Sequence, residues 1–312
     1  MQTGSARRAA QPTKGEHVKL SMTPVSLSKS FREDGMTLES FISTCAGLEL
    51  DGVDILHTSR YPWLWKEPKR ELAALSGWLE RSGLSLAAWA TGNNFAKRDE
   101  TQFKAQVDLV KHALREAADH GARILRIFGG YHQDSGGEAG VFTHNGLEMV
   151  IRGIACCLSE AEKLGVVMAL ENHGGLPGHS YEMGAVLDAF DSPWIQCMFD
   201  CGNFMGNGMD EPEDPLRAYE NLRGRVAHVH VKDNGPSIIN SRKLHGYIVG
   251  KGLVPLRQFA GMLERDGYPG FCSLEYEASL MVPEVYGVPE SIAYLKSIRA
   301  IHRALKAQPK AE

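Results

Sequence analysis

The sequence predicts an α/β protein built as one closed (β/α)8 TIM barrel, and three observations carry that prediction. Short apolar runs alternate eight times with longer amphipathic stretches. No Pro- or Ser-rich linker and no shift of composition divides the 312 residues. The turn after the first apolar run reads Met22-Thr23-Pro24-Val25, without the GxGxxG that an open doubly wound sheet normally carries there. Eight unbroken repeats close into a barrel more readily than they spread into an open sheet.

The units follow in order. The first strand is expected at Val18–Thr23, with a helix near Thr37–Leu48. The second is Gly52–Leu56, then Pro68–Ser82; the third is Ser85–Ala90, then Asp99–His120. The fourth is Arg123–Phe128, then Asn145–Leu164; the fifth is Val166–Glu171, then Ser180–Phe190. The sixth is Ile195–Asp200, then Asp214–Leu222; the seventh is Val226–Val231, then Pro255–Asp266. The eighth is Phe271–Glu277, then Pro289–Leu305. Runs such as Val-Val-Met-Ala-Leu lack twofold alternation, as suits parallel strands covered on both faces. Gly52, Gly83, Gly121, Gly165 and Gly270 lie where helix ends feed the next strand.

The barrel is expected over residues 17–308, behind a disordered tail at 1–16. That tail is polar and basic and has no apolar h-region, and no run approaches 18 apolar residues. These features point to a cytoplasmic protein without a membrane partner. A net charge of −4 and no basic face argue against nucleic acid. The six cysteines form no CxxC pair and read as buried or free thiols.

In this fold chemistry sits at the carboxyl ends of the strands. Four consecutive strands end in a carboxylate or a histidine: Ala-Leu-Glu171-Asn-His, Met-Phe-Asp200-Cys-Gly-Asn, His228-Val-His230-Val-Lys-Asp and Ser-Leu-Glu275-Tyr-Glu. Glu171, Asp200, His230 and Glu275 are spaced by 29, 30 and 45 residues, each about one βα unit. Read singly, each is a solvated loop residue or a satisfied core histidine. Together they converge on the barrel axis, where three carboxylates would repel unless a cation joined them. Three oxygens and an imidazole suit one divalent metal ion, Mn2+ first, with Mg2+, Co2+ or Zn2+ as alternatives. His228 and His230 lie two apart and face the same side of their strand. His230 is the expected ligand because it lies nearer the carboxyl end; His228 then orients a ligand or contacts substrate.

These segments, LENHGG, MFDCGN, HVHVKD and SLEYE, together resemble the xylose isomerase-like barrel superfamily, over essentially residues 17–305. Thr91-Gly-Asn-Asn-Phe95 resembles members of the same group. The resemblance implies a small carbohydrate substrate, a homodimer or homotetramer, and an acid/base pair on Glu171 and Glu275. His173 offers a further acid/base group, as does His179. Asn203 stands where ketose 3-epimerases carry a histidine, and Pro177 where they carry a substrate-binding glutamate. Ketose 3-epimerisation in particular is therefore not expected. Asn203, Lys232, Asn93, Trp89, His132 and His228 are the candidate substrate contacts, with His57, Trp63 and Trp65 also near strand ends. The segment Asn234–Gly252 is long for a βα loop and reads as a lid or partner contact.

The chemistry of such a site is proton transfer beside a carbonyl, with the metal stabilising the enediolate and a carboxylate taking the proton. Return to the opposite face epimerises, return to the neighbouring carbon isomerises, and loss of a β-oxygen makes a lyase or dehydratase acting on a keto-sugar, inosose or 3-keto-glycoside. A three-zinc endonuclease would need more ligands and a DNA-binding face, and a non-catalytic barrel would need a missing ligand.

Overall fold

The computed structural model describes residues 18–135, 144–173, 175–206, 212–237 and 244–307. The expected tail at 1–16, together with Arg242 and Lys243 of the long loop, lies outside the described residues. The strands in chain order are β1 (Lys19–Met22), β2 (Gly52–Leu56), β3 (Ser85–Ala90), β4 (Ile124–Phe128), β5 (Gly130–Tyr131) and β6 (Val167–Glu171). They continue as β7 (Gly175–Leu176), β8 (Ile195–Asp200), β9 (Val226–Val231), β10 (Asp233–Pro236), β11 (Leu244–Tyr247) and β12 (Phe271–Leu274). The α-helices are α1 (Ser28–Glu33), α2 (Leu38–Gly47), α3 (Pro68–Ser82), α4 (Glu100–Asp119) and α5 (His144–Leu164). The remaining ones are α6 (Ser180–Asp188), α7 (Pro215–Leu222), α8 (Leu256–Arg265) and α9 (Glu284–Ala307).

Eight of the strands close a barrel in the order β1-β12-β9-β8-β6-β4-β3-β2. Every neighbouring pair is parallel, including the closing pair β1 and β2. The registers Phe128↔Glu171 and Asp200↔His230 bring the carboxyl ends of β4, β6, β8 and β9 level with one another. The chain is thus a single-domain TIM barrel, as the eight repeats predict.

Local sequence explains the helices. In α4, Phe103, Val107, Val110, Leu114 and Ala117 recur three or four residues apart and are buried against the barrel, and Asp99 caps its first turn by accepting from the Gln102 N–H. Gly83 closes α3 with φ +66°, a left-handed turn that a side chain would strain. Between β8 and the helices, Phe199 stacks on Phe259 and meets Phe204 and Tyr219, so the outer layer is fixed by aromatic packing. Among the described residues, no helix is long and apolar enough to cross a membrane.

Three features differ from the expected elements. A 3-10 turn at Pro24–Leu27 and the short helix α1 precede α2; they are too short to carry a period. The long segment after β9 holds the hairpin β10–β11, and β5 pairs with β7. Helix α9 begins at Glu284, so Pro289 lies inside it. The Glu284 carboxylate accepts from the Lys29 and Ser30 backbone N–H groups, tying the start of α9 to α1.

Candidate metal centre and active site

The axial cluster is built from four strand ends. Glu171 ends β6, Asp200 ends β8, His230 lies on β9 and Glu275 directly follows β12. All four are buried, and one ligand atom from each lies within 4.8 Å of the others. His230 Nδ1 stands 3.6 Å from Glu171 Oε1 and 3.6 Å from Glu275 Oε2.

Hydrogen bonds set which atom each residue offers. Asp200 Oδ1 accepts from the Gly202 and Asn203 backbone N–H groups, both at 2.9 Å. Its other oxygen, Oδ2, is buried and is met by the Lys232 ammonium at 3.2 Å, without a hydrogen bond of good geometry. The Asn172 amide clasps the Asp200 backbone, donating to its carbonyl at 3.1 Å and accepting from its N–H at 2.9 Å. His230 Nε2 pairs with Asp54 Oδ2 at 3.2 Å, which leaves Nδ1 facing the carboxylates without a hydrogen bond. A carboxylate behind an imidazole is the usual support for a metal-bound histidine, because it fixes the ring and its tautomer. Asp200 Oδ2 and His230 Nδ1, neither in a hydrogen bond of good geometry, with the Glu171 and Glu275 carboxylates beside them, fit one divalent cation held by three oxygens and one nitrogen.

Electrostatics agrees with the geometry. Burial, together with the neighbouring Glu275 and Glu171, pushes the Asp200 carboxyl up to about 8 despite Lys232. Burial also opposes charge on Glu171 and Glu275. There Arg126 and His230 prevail for Glu171, Lys232 and His230 for Glu275, and both carboxyls lie below the usual range. Burial opposes charge on His230, but Glu275, Asp54 and Glu171 hold its pKa well above the usual imidazole value. Three cations, Arg126, Lys232 and His230, thus face the three carboxylates, and Asp200 alone is pushed toward its neutral form.

Lys232, just past β9, points into the cluster, with Nζ 2.8 Å from Glu275 Oε2, 2.9 Å from Glu277 Oε2 and 3.2 Å from Asp200 Oδ2. Asn203 is buried beside it, its Nδ2 3.5 Å from Glu171 Oε1. His173 lies against the same region. Its ring stacks on Phe128 at 4.3 Å, its Nδ1 is buried without a partner, and burial chiefly lowers its pKa. It is therefore a neutral imidazole beside two carboxylates near neutral pH.

Other expected contacts whose side chains are described are not brought to the cluster. The Trp89 ring is fully buried, faces away from the axis and stacks on His120 at the end of α4. The expectation of a sugar-stacking Trp89 is corrected, because β3 turns that residue toward the helix layer. Asn93 spends both ends of its amide on β4, donating to the Phe128 carbonyl and accepting from its N–H. It is a tie between strand ends, not a free hydroxyl binder. His228 lies one inward step below His230 and pairs with Asp54 Oδ2 at 3.0 Å, so it braces the floor of the cluster instead of meeting substrate. His57 faces outward to α4. Trp65 donates to the Leu56 carbonyl, and Trp63 packs on Phe31. His132 begins the 3-10 turn His132–Ser135, and its side chain lies outside the described residues.

Two buried charges at the site escape the strand-end reading. Asp54 lies within β2 and receives both His228 and His230. Arg126 lies within β4, with Nε 3.4 Å from Glu171 Oε2 and Nη2 donating to the Tyr61 hydroxyl at 3.1 Å. The signal was present: a lone charge inside Gly-Val-Asp-Ile-Leu and inside Ile-Leu-Arg-Ile-Phe is costly unless it is paired.

The chain matches the family model described as xylose isomerase-like TIM barrel over residues 42–298, and it belongs to that family. Solved structures share the fold at low identity. A structure of L-ribulose 3-epimerase is 17% identical with a TM-score of 0.71, covering 95% of this chain and 100% of that one. A D-tagatose 3-epimerase-like protein is 19% identical with a TM-score of 0.70, covering 93% and 100%. A probable 3-DHS dehydratase from Bacillus anthracis is 15% identical with a TM-score of 0.64, covering 94% and 100%. No curated protein matches the chain by sequence.

Proposed function

We propose that the protein is a divalent-metal-dependent isomerase or epimerase of a small sugar or keto-sugar. The observation that carries this reading is the placement of Glu171 and Glu275, each 3.6 Å from the same nitrogen of His230. Two carboxylates thus flank one point from different strands, as a reaction that removes a proton and returns it elsewhere requires. The likeness to epimerase structures at the level of fold is consistent with it.

The roles follow from the partners. Glu171, Asp200, His230 and Glu275 would hold the ion, which would supply Lewis acidity toward a carbonyl and its neighbouring hydroxyl. Arg126 and Lys232 keep Glu171 and Glu275 ionised, so each is ready to accept a proton. Asn203, buried beside Glu171, and Lys232, whose ammonium would turn from one of its three carboxylates, are the contacts to substrate oxygens. One carboxylate takes the proton beside the carbonyl and, now protonated, returns it to the neighbouring carbon in isomerisation. In epimerisation the other carboxylate first takes a proton from solvent and gives it to the opposite face, while the first releases its own to solvent.

A second reading, β-elimination by a lyase or dehydratase, is favoured by His173, whose unpartnered Nδ1 gives a third acid/base group for an oxygen leaving group. Proton NMR in D2O separates the two. The protein, loaded with Mg2+ or Zn2+, is incubated with ketoses, inososes and 3-keto-glycosides. Solvent deuterium at the carbon beside the carbonyl, without loss of an oxygen substituent, is the expected result. Loss of a substituent assigns the lyase. Glu275→Gln is expected to slow turnover by about 10^2- to 10^4-fold; wild-type turnover in that variant refutes the acid/base assignment.

A further inference from the structure

A second cluster of metal-binding side chains lies on the outer wall of the barrel and shares no residue with the axial one. His57 directly follows β2, and His112 and Glu116 stand one turn apart on α4, so both helix residues face the same way. His57 Nε2 is 3.0 Å from His112 Nδ1 and 3.3 Å from Glu116 Oε2. His112 Nδ1 is 3.9 Å from Glu116 Oε1. We infer that His57, His112 and Glu116 form a separate binding site for a zinc-class transition-metal ion.

The distances suit such an ion. Tetrahedral coordination with bonds of about 2.0–2.1 Å places neighbouring donors roughly 3.3–3.4 Å apart; His57 Nε2 stands 3.3 Å from Glu116 Oε2 and 3.0 Å from His112 Nδ1. Two imidazoles and a carboxylate form a donor set that zinc takes readily, and solvent can supply the fourth position because the His112 side chain is 58% exposed.

The single proton of a neutral His57 Nε2 can go to His112 Nδ1 or to Glu116 Oε2, but not to both. Glu116 Oε2 is buried without a hydrogen bond of good geometry, with the Trp89 indole N–H as a further donor beside this carboxylate. His57 Nδ1 accepts from the Ser59 backbone N–H at 3.3 Å; the tautomer that frees Nε2 for a metal exchanges that bond for one from Nδ1–H to the Ser59 hydroxyl, 3.1 Å away. Two ring lone pairs and a carboxylate oxygen then face one point, and Ser59 supplies the acceptor that a metal-bound imidazole uses on its far side. Thr58 donates to Glu116 Oε1 at 3.2 Å and holds the carboxylate in place. Burial, with His112 and Arg60 nearby, lowers the His57 pKa to about 4, so its ring is neutral and available near neutral pH. An ion here would staple the end of β2 to α4 more firmly than the His57–His112 and Thr58–Glu116 contacts that already join them.

The test is zinc stoichiometry by equilibrium dialysis of the full chain at about 10 µM free Zn2+, read by atomic emission. The probe variant is His112→Ala, chosen because that side chain is largely exposed and its loss leaves the core intact. Wild type is expected to bind one more zinc per chain than His112→Ala, and Glu116→Gln is expected to weaken the same site by about 100-fold or more. Wild type and His112→Ala binding equal numbers of zinc ions would overturn the site and leave an imidazole pair joined by a hydrogen bond. The difference between the two proteins reports this site even if the axial cluster takes no zinc. In that case wild type binds one ion and His112→Ala none.

Discussion

Asp54→Asn is the most informative single change near the axial cluster, because it alters charge without altering shape. One carboxylate oxygen, Oδ2, receives both His228 at 3.0 Å and His230 at 3.2 Å. A hydrogen bond to a charged acceptor contributes about 1.5–3 kcal/mol, against about 0.5–1.5 kcal/mol for a neutral one. The variant therefore loses about 1–2 kcal/mol of orientation at His230, or about tenfold in metal affinity, in line with the 10- to 100-fold typical of such supporting residues. Asp54→Ala removes the acceptor altogether and strands two buried rings, at a stability cost of about 3 kcal/mol or more. Competition titration of Mn2+ or Zn2+ against a chelating dye reads the affinity, and circular dichroism confirms the fold. A folded Asp54→Asn protein that binds metal within twofold of wild type would refute the support assigned to Asp54.

Arg126→Met should raise the Glu171 pKa and lower kcat/KM by about tenfold or more; Arg126→Lys should not restore it, because the fork that reaches both Glu171 and the Tyr61 hydroxyl is lost. Steady-state kinetics on the substrate identified by NMR checks both. His57 titrates at about 4 in the folded chain against 6.5 ordinarily, so the unfolded chain takes the proton first. Its contribution to stability is complete above pH 6.5 and is lost as pH falls toward 4; urea melts of His57→Gln across that window should show a flatter pH dependence than wild type. A Cβ at Gly129 would lie 1.9 Å from the Leu176 carbonyl oxygen, so Gly129→Ala should cost about 3 kcal/mol by denaturant titration.

Much of this molecule is legible in its sequence, and the reasons are physical. The eight repeats and the four strand-end residues depend on periodicity and spacing, which a linear text records. The ring direction of Trp89 depends on the phase of β3, and a two-residue period without alternating polarity does not reveal that phase. Asn93 looks like a free amide in the text, yet both of its ends are spent on the Phe128 backbone. Asp54 and Arg126 act across strands far apart in sequence, and only closure of the barrel brings them to His230 and Glu171. The outer cluster joins a residue after β2 to the middle of α4, a pairing set by how the helix lies on the barrel and by no local pattern.

The alternation along β9 has a consequence for how this family can change. His228, His230 and Lys232 stand on one side, about 6.6 Å apart per step, as floor, ligand and mouth. Val229 and Val231, between them, belong to the apolar core. The strand acts as a reading frame. A substitution edits one depth of the cluster and leaves the other two in place. Insertion or deletion of a single residue would turn all three polar side chains into the helix layer and bring the valines to the axis. Variation in chemistry must then accumulate by replacement within the strand and by length change only in the loops beyond it.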